Sequence, residues 1–480
     1  MKYHLQKYIP LILGPLCFVG LVYLPIIHLD EKIVKVIGIT SWMLIWWISE
    51  VVALPVTAFL PVVLFPALGI LDLPTTSANY TNPTVLLFLS GFVFALSIEK
   101  HRLHERIALH IIHWVGTSIQ KIVLGFMLAT AFISMWVNNT ATTLLMFPIA
   151  NSVLSLLQES FVAQKQQEAF NKLSKSLLLG LAFGACIGGI ATPIGTPTNA
   201  VLIAYFKDNF QTDIAFLAWF AIGFPLAIVM LSFAYFVLVK WLFVIEIDDL
   251  PSAKQIVEGK IAHLGAITYQ EYAVSGVFLL TTFTWIFRVF LIKIPALAFL
   301  NDTIIGMAGA LLLFIIPNPT EKDSFIFEWK NMEKLPWGIL FMIGGGLALA
   351  KTLETSGLVQ LIGSSIKNLG ISHFALLLAI VVLVTLLLKI MIANTALATI
   401  LVPMVAGIAV ASGIEPILLA APTTFAASFA FILPMSTPPN AIVLSTGFVH
   451  VKDMIKAGSW IAIFGFLLLI SVYKCYIFMI

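Results

Sequence analysis

The sequence contains few charged residues and few cysteines, and both features limit the classes of protein to which it can belong. Charged residues make up 10% of its 480 residues, whereas a soluble domain carries about 25%. The hydrophobic fraction of 60% excludes a soluble globular chain and predicts an integral membrane protein. The net charge of +3 gives no reason to expect a nucleic-acid partner. The three cysteines lie in apolar runs without metal-ligand spacing, so no disulfide framework is expected.

The length sets the number of spans. At about 20 residues per span, the chain has room for roughly 10 to 12 helices. We predict an all-α polytopic protein of the cell membrane with about eleven crossings, a cytoplasmic N-terminus and an external C-terminus. This orientation puts the larger share of Lys and Arg on the cytoplasmic side, in agreement with the positive-inside rule.

Two apolar segments are long and carry a polar step at the middle. Residues 122–151 contain Asn138-Asn139-Thr140, and residues 372–407 contain Ala393-Asn394-Thr395. Each segment could be one tilted span or two half-helices that enter the membrane and turn back. Irregular backbone at that depth is tolerated only where it is buried or lines a wet cavity. The central polar step favours two re-entrant hairpins.

Two further spans are broken by related sequences. One contains Gly195-Thr196-Pro197-Thr198-Asn199, and the other contains Ser436-Thr437-Pro438-Pro439-Asn440. These breaks stand 241 residues apart, and the Asn-Thr steps stand 255 residues apart. Near-constant offsets predict two inverted repeats with one binding site between them.

The residue types at these four places point to an anion site. A half-helix that starts inside the membrane presents free N–H groups and about half a positive charge. Asn and Thr can cap such a start or donate to an anion. With Thr196 and Thr437, two opposed hairpin tips would form a cradle for two carboxylates, and the proline steps would free carbonyls for a small cation. Alternatively, these side chains only hydrogen-bond between helices.

On these motifs the chain resembles the divalent anion/sodium symporter family, which includes the INDY-type di- and tricarboxylate carriers. The family carries a Ser-Asn-Thr motif at each hairpin tip and a Thr-Pro-Pro-Asn-like break in each repeat. The resemblance implies a homodimer with an elevator motion. It also implies that substrate contacts lie at Asn138, Asn139, Thr140, Ala393, Asn394, Thr395, Thr437 and Pro438, to which the cradle adds the Thr196-Pro197 step.

The elevator scheme divides the chain into four parts. Residues 1–121 are expected to form scaffold helices with a cytoplasmic interfacial helix, and residues 246–371 are expected to form further scaffold. Residues 122–245 and 372–480 each supply a hairpin and a broken helix to the transport domain.

Lys389 departs from the family pattern. Neither tip keeps the serine, and four residues before Ala393 a lysine stands where sodium-coupled members have a hydroxyl residue. An ammonium inside the membrane costs about 2.5–3.5 kcal/mol on the insertion scale, so a role is expected. The hypothesis is that Lys389 replaces a sodium ion and compensates substrate charge. Alternatively, Lys389 extends to the outer interface. A sodium site at Ser134, Asn139 and Gly195 is the other option.

These observations predict a secondary carrier and not an enzyme. The expected substrates are dicarboxylates of the succinate, malate, fumarate and 2-oxoglutarate class, with citrate and sulfate left open. Sodium-independent exchange without a cofactor is favoured, and a sodium-coupled dicarboxylate symporter is the alternative. A membrane enzyme or a channel belongs to a different class. The expected partners are the substrate, membrane lipid and a second copy of the chain.

Overall fold

The computed structural model describes residues 2–24, 29–116, 118–163, 165–245, 251–321, 323–368 and 373–477. Within these ranges β structure is limited to one isolated bridge between Pro317 and Phe325. Eight helical stretches in the same ranges are long and apolar enough to span a membrane, and six shorter apolar helices accompany them. The predicted all-α polytopic fold is therefore confirmed, and the protein is a multi-pass membrane protein.

The first repeat and the helices before it carry two short helices where one span was expected. The helices are α1 (Lys2–Tyr23), α2 (Glu31–Ser49), α3 (Leu54–Thr57), α4 (Leu60–Ala67), α5 (Leu73–Ala78), α6 (Pro83–Lys100), α7 (Leu103–Val115), α8 (Ile119–Ser134), α9 (Asn139–Ala163), α10 (Gln167–Gly189), α11 (Pro197–Phe210) and α12 (Phe216–Tyr235). Pro55 and Pro61 begin α3 and α4. Because proline donates no N–H to a preceding turn, it starts a helix more easily than it continues one.

The second half repeats this order of elements. Its helices are α13 (Pro251–Leu264), α14 (Tyr269–Leu291), α15 (Asp302–Ile315), α16 (Trp337–Thr355), α17 (Leu358–Asn368), α18 (Phe374–Lys389), α19 (Asn394–Ala411), α20 (Ile417–Ser428), α21 (Pro438–Leu444) and α22 (Val451–Ile477). A 3₁₀-helix over Trp329–Lys334 precedes α16. The start of the third predicted part at residue 246, its end at residue 371 and the final residues 478–480 lie outside the described ranges.

Both long polar-centred segments are interrupted at the predicted place. α8 ends at Ser134 and α9 begins at Asn139. α18 ends at Lys389 and α19 begins at Asn394. The two ends are 255 residues apart, and so are the two starts. A single tilted span is therefore wrong for both segments, and the paired half-helices are confirmed.

The side-chain amide of Asn199 stabilises the interruption in the first broken span. α10 ends at Gly189 and α11 begins at Pro197. The buried Asn199 amide donates to the Gly189 carbonyl at 3.2 Å and to the Thr192 carbonyl at 2.7 Å. Unpaired carbonyls inside a membrane cost several kcal/mol each. Asn199 therefore stabilises the break by replacing part of the lost helical hydrogen bonding.

An asparagine amide also stabilises the interruption in the second broken span. The Asn440 amide donates to the Ala430 carbonyl at 2.9 Å and to the Leu433 carbonyl at 3.1 Å. Asn440 and both acceptors lie 241 residues after their counterparts in the first break. The internal repeat therefore extends from sequence landmarks to individual hydrogen bonds.

Two arginines, one buried and one partly buried, are paired with carboxylates. Arg288 on α14 contacts Asp213 at 2.7 Å and Asp302 at 3.3 Å. Arg106 on α7 contacts Glu271 at 2.7 Å. A buried charge is costly unless a counter-charge and hydrogen bonds compensate it. These pairs fix α7 and α15 to α14.

α8 and α10 approach each other closely through small residues. Gly188 packs against the backbone of Ala131, and Gly184 packs against the backbone at Met127. A side chain at Gly188 would overlap the Ala131 carbonyl. Glycine at these positions lets the two backbones touch. The contact places the break after α10 beside the tip after α8.

Gly188→Ala is expected to destabilise the protein by about 1–3 kcal/mol, because the new methyl group must push two backbones apart. The measurement is the unfolding temperature of the purified protein in detergent at a fixed scan rate. Gly276→Ala, in α14, is the matched control, because nothing lies within 4 Å of the added methyl. Equal unfolding temperatures for both variants would contradict the close-approach argument.

Candidate functional site

The hairpin tips and the broken spans line one cavity of about 580 Å³. Every residue predicted to contact a substrate lies in its wall: Asn138, Asn139, Thr140, Thr196, Pro197, Ala393, Asn394, Thr395, Thr437 and Pro438. They come from the starts of α9, α11, α19 and α21. The structure thus brings together residues from both repeats that are far apart in the chain.

Two of the helix starts present uncapped N–H groups at the cavity. α19 begins after Ala393, and no side chain caps its first turn. Thr196 precedes α11 and likewise makes no capping hydrogen bond. At the start of α9, by contrast, Asn138 Oδ1 accepts from the Ala141 N–H at 3.0 Å. Uncapped N–H groups and the helix dipole favour an anion, so the α19 start is the stronger anion-binding end.

Oxygen atoms cluster beside the first tip. Ser134 Oγ lies 3.0 Å from Asn139 Oδ1 and 2.7 Å from the Ala185 carbonyl. A Cβ at Gly189 would collide with Asn139 Oδ1, and one at Gly195 would crowd the carbonyls of Gly189 and Ser134. Hydroxyl, amide and carbonyl oxygens are the ligands that transporters use for sodium. The predicted trio Ser134, Asn139 and Gly195 therefore lies together and suits a small cation.

In the second repeat, Lys389 occupies the position that is equivalent to Ser134 in the first. Its ammonium donates to the Ile392 carbonyl at 2.9 Å and to the Ser436 carbonyl at 2.6 Å. Lys389 stands 255 residues after Ser134, and Ser436 stands 241 residues after Gly195. The residue is 1% exposed and lies behind the cavity wall, so the alternative that it extends to the outer interface is wrong.

A hydrogen bond joins the two breaks. Thr198 Oγ1 at the start of α11 lies 2.8 Å from Ser428 Oγ at the end of α20. Both side chains are fully buried. The two repeats are therefore connected directly at the centre of the molecule, beside the residues that line the cavity.

Sequence reasoning missed several residues of the cavity wall. One group comes from the end of α2, from α3 and from α16: Ile48, Ser49, Glu50, Leu54, Ile339 and Met342. The other group adjoins the predicted residues of the second tip and the second break: Met391, Pro434, Met435, Ser436 and Ala441. Glu50 could have been identified from the sequence, because an ionisable residue between two apolar runs costs free energy unless it faces water. It adopts the left-handed conformation that ends α2, with φ of 47°. The apolar residues carry no such signal, because they read as ordinary span residues.

Comparison with known proteins covers nearly the whole chain. Residues 5–480 match the family described as the sodium:sulfate symporter transmembrane region. The sodium-dependent dicarboxylate transporter SdcS of Staphylococcus saprophyticus is 38% identical over 475 residues, covering 98% of this chain and 91% of that protein. SdcS of Staphylococcus aureus strain USA300 is 38% identical over 468 residues, covering 97% and 90%.

A solved structure shares the fold. The YdaH transporter of Alcanivorax borkumensis superposes with a TM-score of 0.57 over 84% of this chain and 87% of that one. The sequence identity is 16%, so the likeness concerns the arrangement of helices alone. It agrees with the polytopic helical architecture described above.

Asn199→Ala is expected to lower the unfolding temperature, because it removes two buried hydrogen bonds. The Gly189 carbonyl loses its side-chain donor at a cost of about 1–3 kcal/mol, whereas the Thr192 carbonyl still accepts from the Gly195 N–H. Asn209→Ala is the matched control on the same helix. Its amide donates to the Tyr205 carbonyl within α11, so its loss should change little. Thermal unfolding in detergent at a fixed scan rate separates the two. A control as unstable as Asn199→Ala would show that the break does not depend on this amide.

Proposed function

We propose, because this chain belongs to the sodium:sulfate symporter family, that it is a secondary carrier that moves dicarboxylates across the membrane. Family and relatives confirm that it is a transporter and not an enzyme. The observation that carries the proposal is the single cavity into which both repeats present amides, hydroxyls and helix starts. Succinate, malate, fumarate, 2-oxoglutarate and citrate all fall within the proposed class.

The chemistry of the cavity supports a substrate with two carboxylates. Asn394 and Thr395 stand at one tip, and Asn138 and Thr140 stand at the other. Each tip offers N–H and O–H donors, which bind carboxylates more strongly than they bind neutral acceptors. A cavity of about 580 Å³ is within the usual range for small-molecule sites. We assign one carboxylate to each tip.

Sodium coupling is the proposed driving force. The names of the relatives favour it over the sodium-independent exchange that the sequence suggested. The oxygen cluster at Ser134, Asn139 and Gly195 supports the same choice, because its donors suit sodium. Sodium here is a co-transported substrate and not a resident metal.

Lys389 reduces the number of sodium ions required. Each arginine described above has a carboxylate partner, whereas the hydrogen bonds of Lys389 to described residues go to two carbonyls. Its charge is therefore left for the substrate to balance. A dianion, one sodium ion and one ammonium sum to zero, and a neutral loaded site crosses the membrane at the lowest electrostatic cost. We propose one sodium ion per dicarboxylate at these two positions.

Sodium-independent exchange is the second candidate, and the burial of Lys389 favours it. An empty carrier with a fixed ammonium at its centre crosses the membrane poorly, because the charge lacks a counter-ion. Loading with a dianion relieves this cost and makes exchange faster than net uptake. The two candidates differ in one observable, the response to sodium.

Further proposals concern movement and assembly. The predicted transport domain contains both hairpins and both broken spans, and an elevator motion would carry them together past the scaffold. A homodimer, a cytoplasmic N-terminus and an external C-terminus complete the proposal. These four points follow from the resemblance and from the distribution of Lys and Arg.

Asn394→Ala is expected to reduce dicarboxylate uptake about 10- to 100-fold, because a hydrogen bond to a charged group contributes about 1.5–3 kcal/mol. The assay is counterflow of labelled succinate into proteoliposomes that contain unlabelled succinate. Asn209→Ala should transport like the wild type, since it lies outside the cavity wall. Wild-type vesicles without saturable dicarboxylate uptake would overturn the proposed function.

Sodium dependence is expected to be first order in the wild type and to approach second order in Lys389→Thr, because the hydroxyl and the freed carbonyls recreate a second cation site. The measurement is the Hill coefficient of uptake against sodium concentration. Ser134→Ala should raise the sodium concentration needed for half-maximal uptake.

Two results would decide against sodium coupling as proposed. Equal counterflow with and without sodium would establish the exchange candidate. A wild-type Hill coefficient near two, unchanged in Lys389→Thr, would show that the ammonium does not replace an ion.

A further inference from the structure

A second cavity adjoins the substrate cavity. This cavity, called the vestibule below, has a volume of about 470 Å³. It shares three wall residues with the substrate cavity, namely Asn138, Thr140 and Ile339. The two cavities therefore meet at the first tip, which makes the vestibule a candidate route to the substrate cavity.

Two opposite charges stand in an otherwise uncharged wall. Glu99 comes from the end of α6, and Lys334 comes from the end of the 3₁₀-helix before α16. The remaining residues of the wall are mostly apolar, with Asn138 and Thr140 at the inner end. A charged solute in this passage therefore meets a single ammonium and a single carboxylate.

The Lys334 ammonium has no partner among the described residues, unlike the bases around it. Lys100 is held by the Ile326 carbonyl at 3.1 Å and by Asn331 Oδ1 at 3.2 Å. Lys330 pairs with Glu328 at 2.6 Å. In the same part of the chain, Lys334 makes neither an ion pair nor a hydrogen bond.

The Glu99 carboxylate likewise forms no ion pair within the described residues, either with Lys334 or with any other base. The two charges are therefore not joined in an ion pair, and each can act on a passing solute. Charge of one sign in a cleft with low-dielectric walls raises the association rate of an oppositely charged substrate by about 10- to 1,000-fold. Lys334 acts in this sense on an anion, and Glu99 acts against it.

We propose that Lys334 draws the dicarboxylate into the vestibule and that Glu99 opposes it, so that the anion enters without being retained. A conducting passage must bind its solute well enough to admit it and weakly enough to release it. The inference rests on the proposed function, since it takes a dianion as the solute. It assigns Lys334 a positioning role at the entrance, separate from the residues that hold the substrate.

The test measures dicarboxylate transport from each face of oriented proteoliposomes at several ionic strengths. Lys334→Gln should raise the KM for substrate supplied at the vestibule face about 3- to 30-fold and leave the maximal rate nearly unchanged. Glu99→Gln should lower the same KM. Salt should weaken wild-type uptake from this face and affect Lys334→Gln less, because screening acts on the steering charge. KM at the opposite face should stay constant.

Matched variants separate steering from structural damage. Lys334→Arg should restore the wild-type KM, because the charge returns. Lys330→Gln, four residues earlier on the same 3₁₀-helix, should leave KM unchanged, since Lys330 lies outside the vestibule wall. If Lys334→Gln fails to fold, the opposite shift in Glu99→Gln and its salt dependence test the same inference.

Three results would overturn the inference. These are a KM change of equal size at both faces, an equal effect of Lys330→Gln, and a salt response that Lys334→Gln leaves intact. Wild-type dicarboxylate uptake in the same vesicles keeps the proposed function separate, because that uptake persists if only the steering role fails.

Discussion

Interrupting helices inside a membrane releases backbone N–H and C=O groups, and the remainder of this structure depends on how those groups are paired. Lipid cannot satisfy them, so each one needs a partner from the protein, from a ligand or from water in a cavity. Asn199 and Asn440 pair carbonyls released by the two breaks. The uncapped N–H groups at the start of α19 are left for the cavity. The requirement to satisfy the backbone thus stabilises the breaks and leaves hydrogen-bond donors at the cavity, where the proposed anion would bind.

Buried charges also need partners, and a buried charge without one costs more free energy than an unpaired backbone group. Arg288 is buried and Arg106 is partly buried, and both have carboxylate partners within the fold. Lys389 is more deeply buried than either, but its hydrogen bonds to described residues go to carbonyls. The electrostatic state of this part of the molecule therefore depends on what the cavity contains.

Much of the fold and site could be predicted from the sequence, because matching motifs of the two repeats are separated by nearly constant numbers of residues. The offsets of 255 and 241 residues identified the hairpin tips and the breaks, and the polar residues there proved to share one cavity. Ile339 and Met342 in the cavity wall could not be predicted, because they look like any apolar span residues. Nor does the sequence show that residues 54–67 form two short helices, although Pro55 and Pro61 lie in the first turns of these helices. Whether a proline ends or merely kinks a span depends on tertiary contacts.

The hydrogen bond between Thr198 and Ser428 has a consequence for how sequence change can be tolerated. It connects the two repeats directly, so a change at either position affects both. If one hydroxyl is lost, the other keeps only contacts within its own repeat, from Thr198 to Thr196 Oγ1 at 3.3 Å or from Ser428 to the Thr424 carbonyl at 3.3 Å. The direct link between the repeats therefore survives only where both positions keep a hydroxyl, and this contact constrains the two residues jointly.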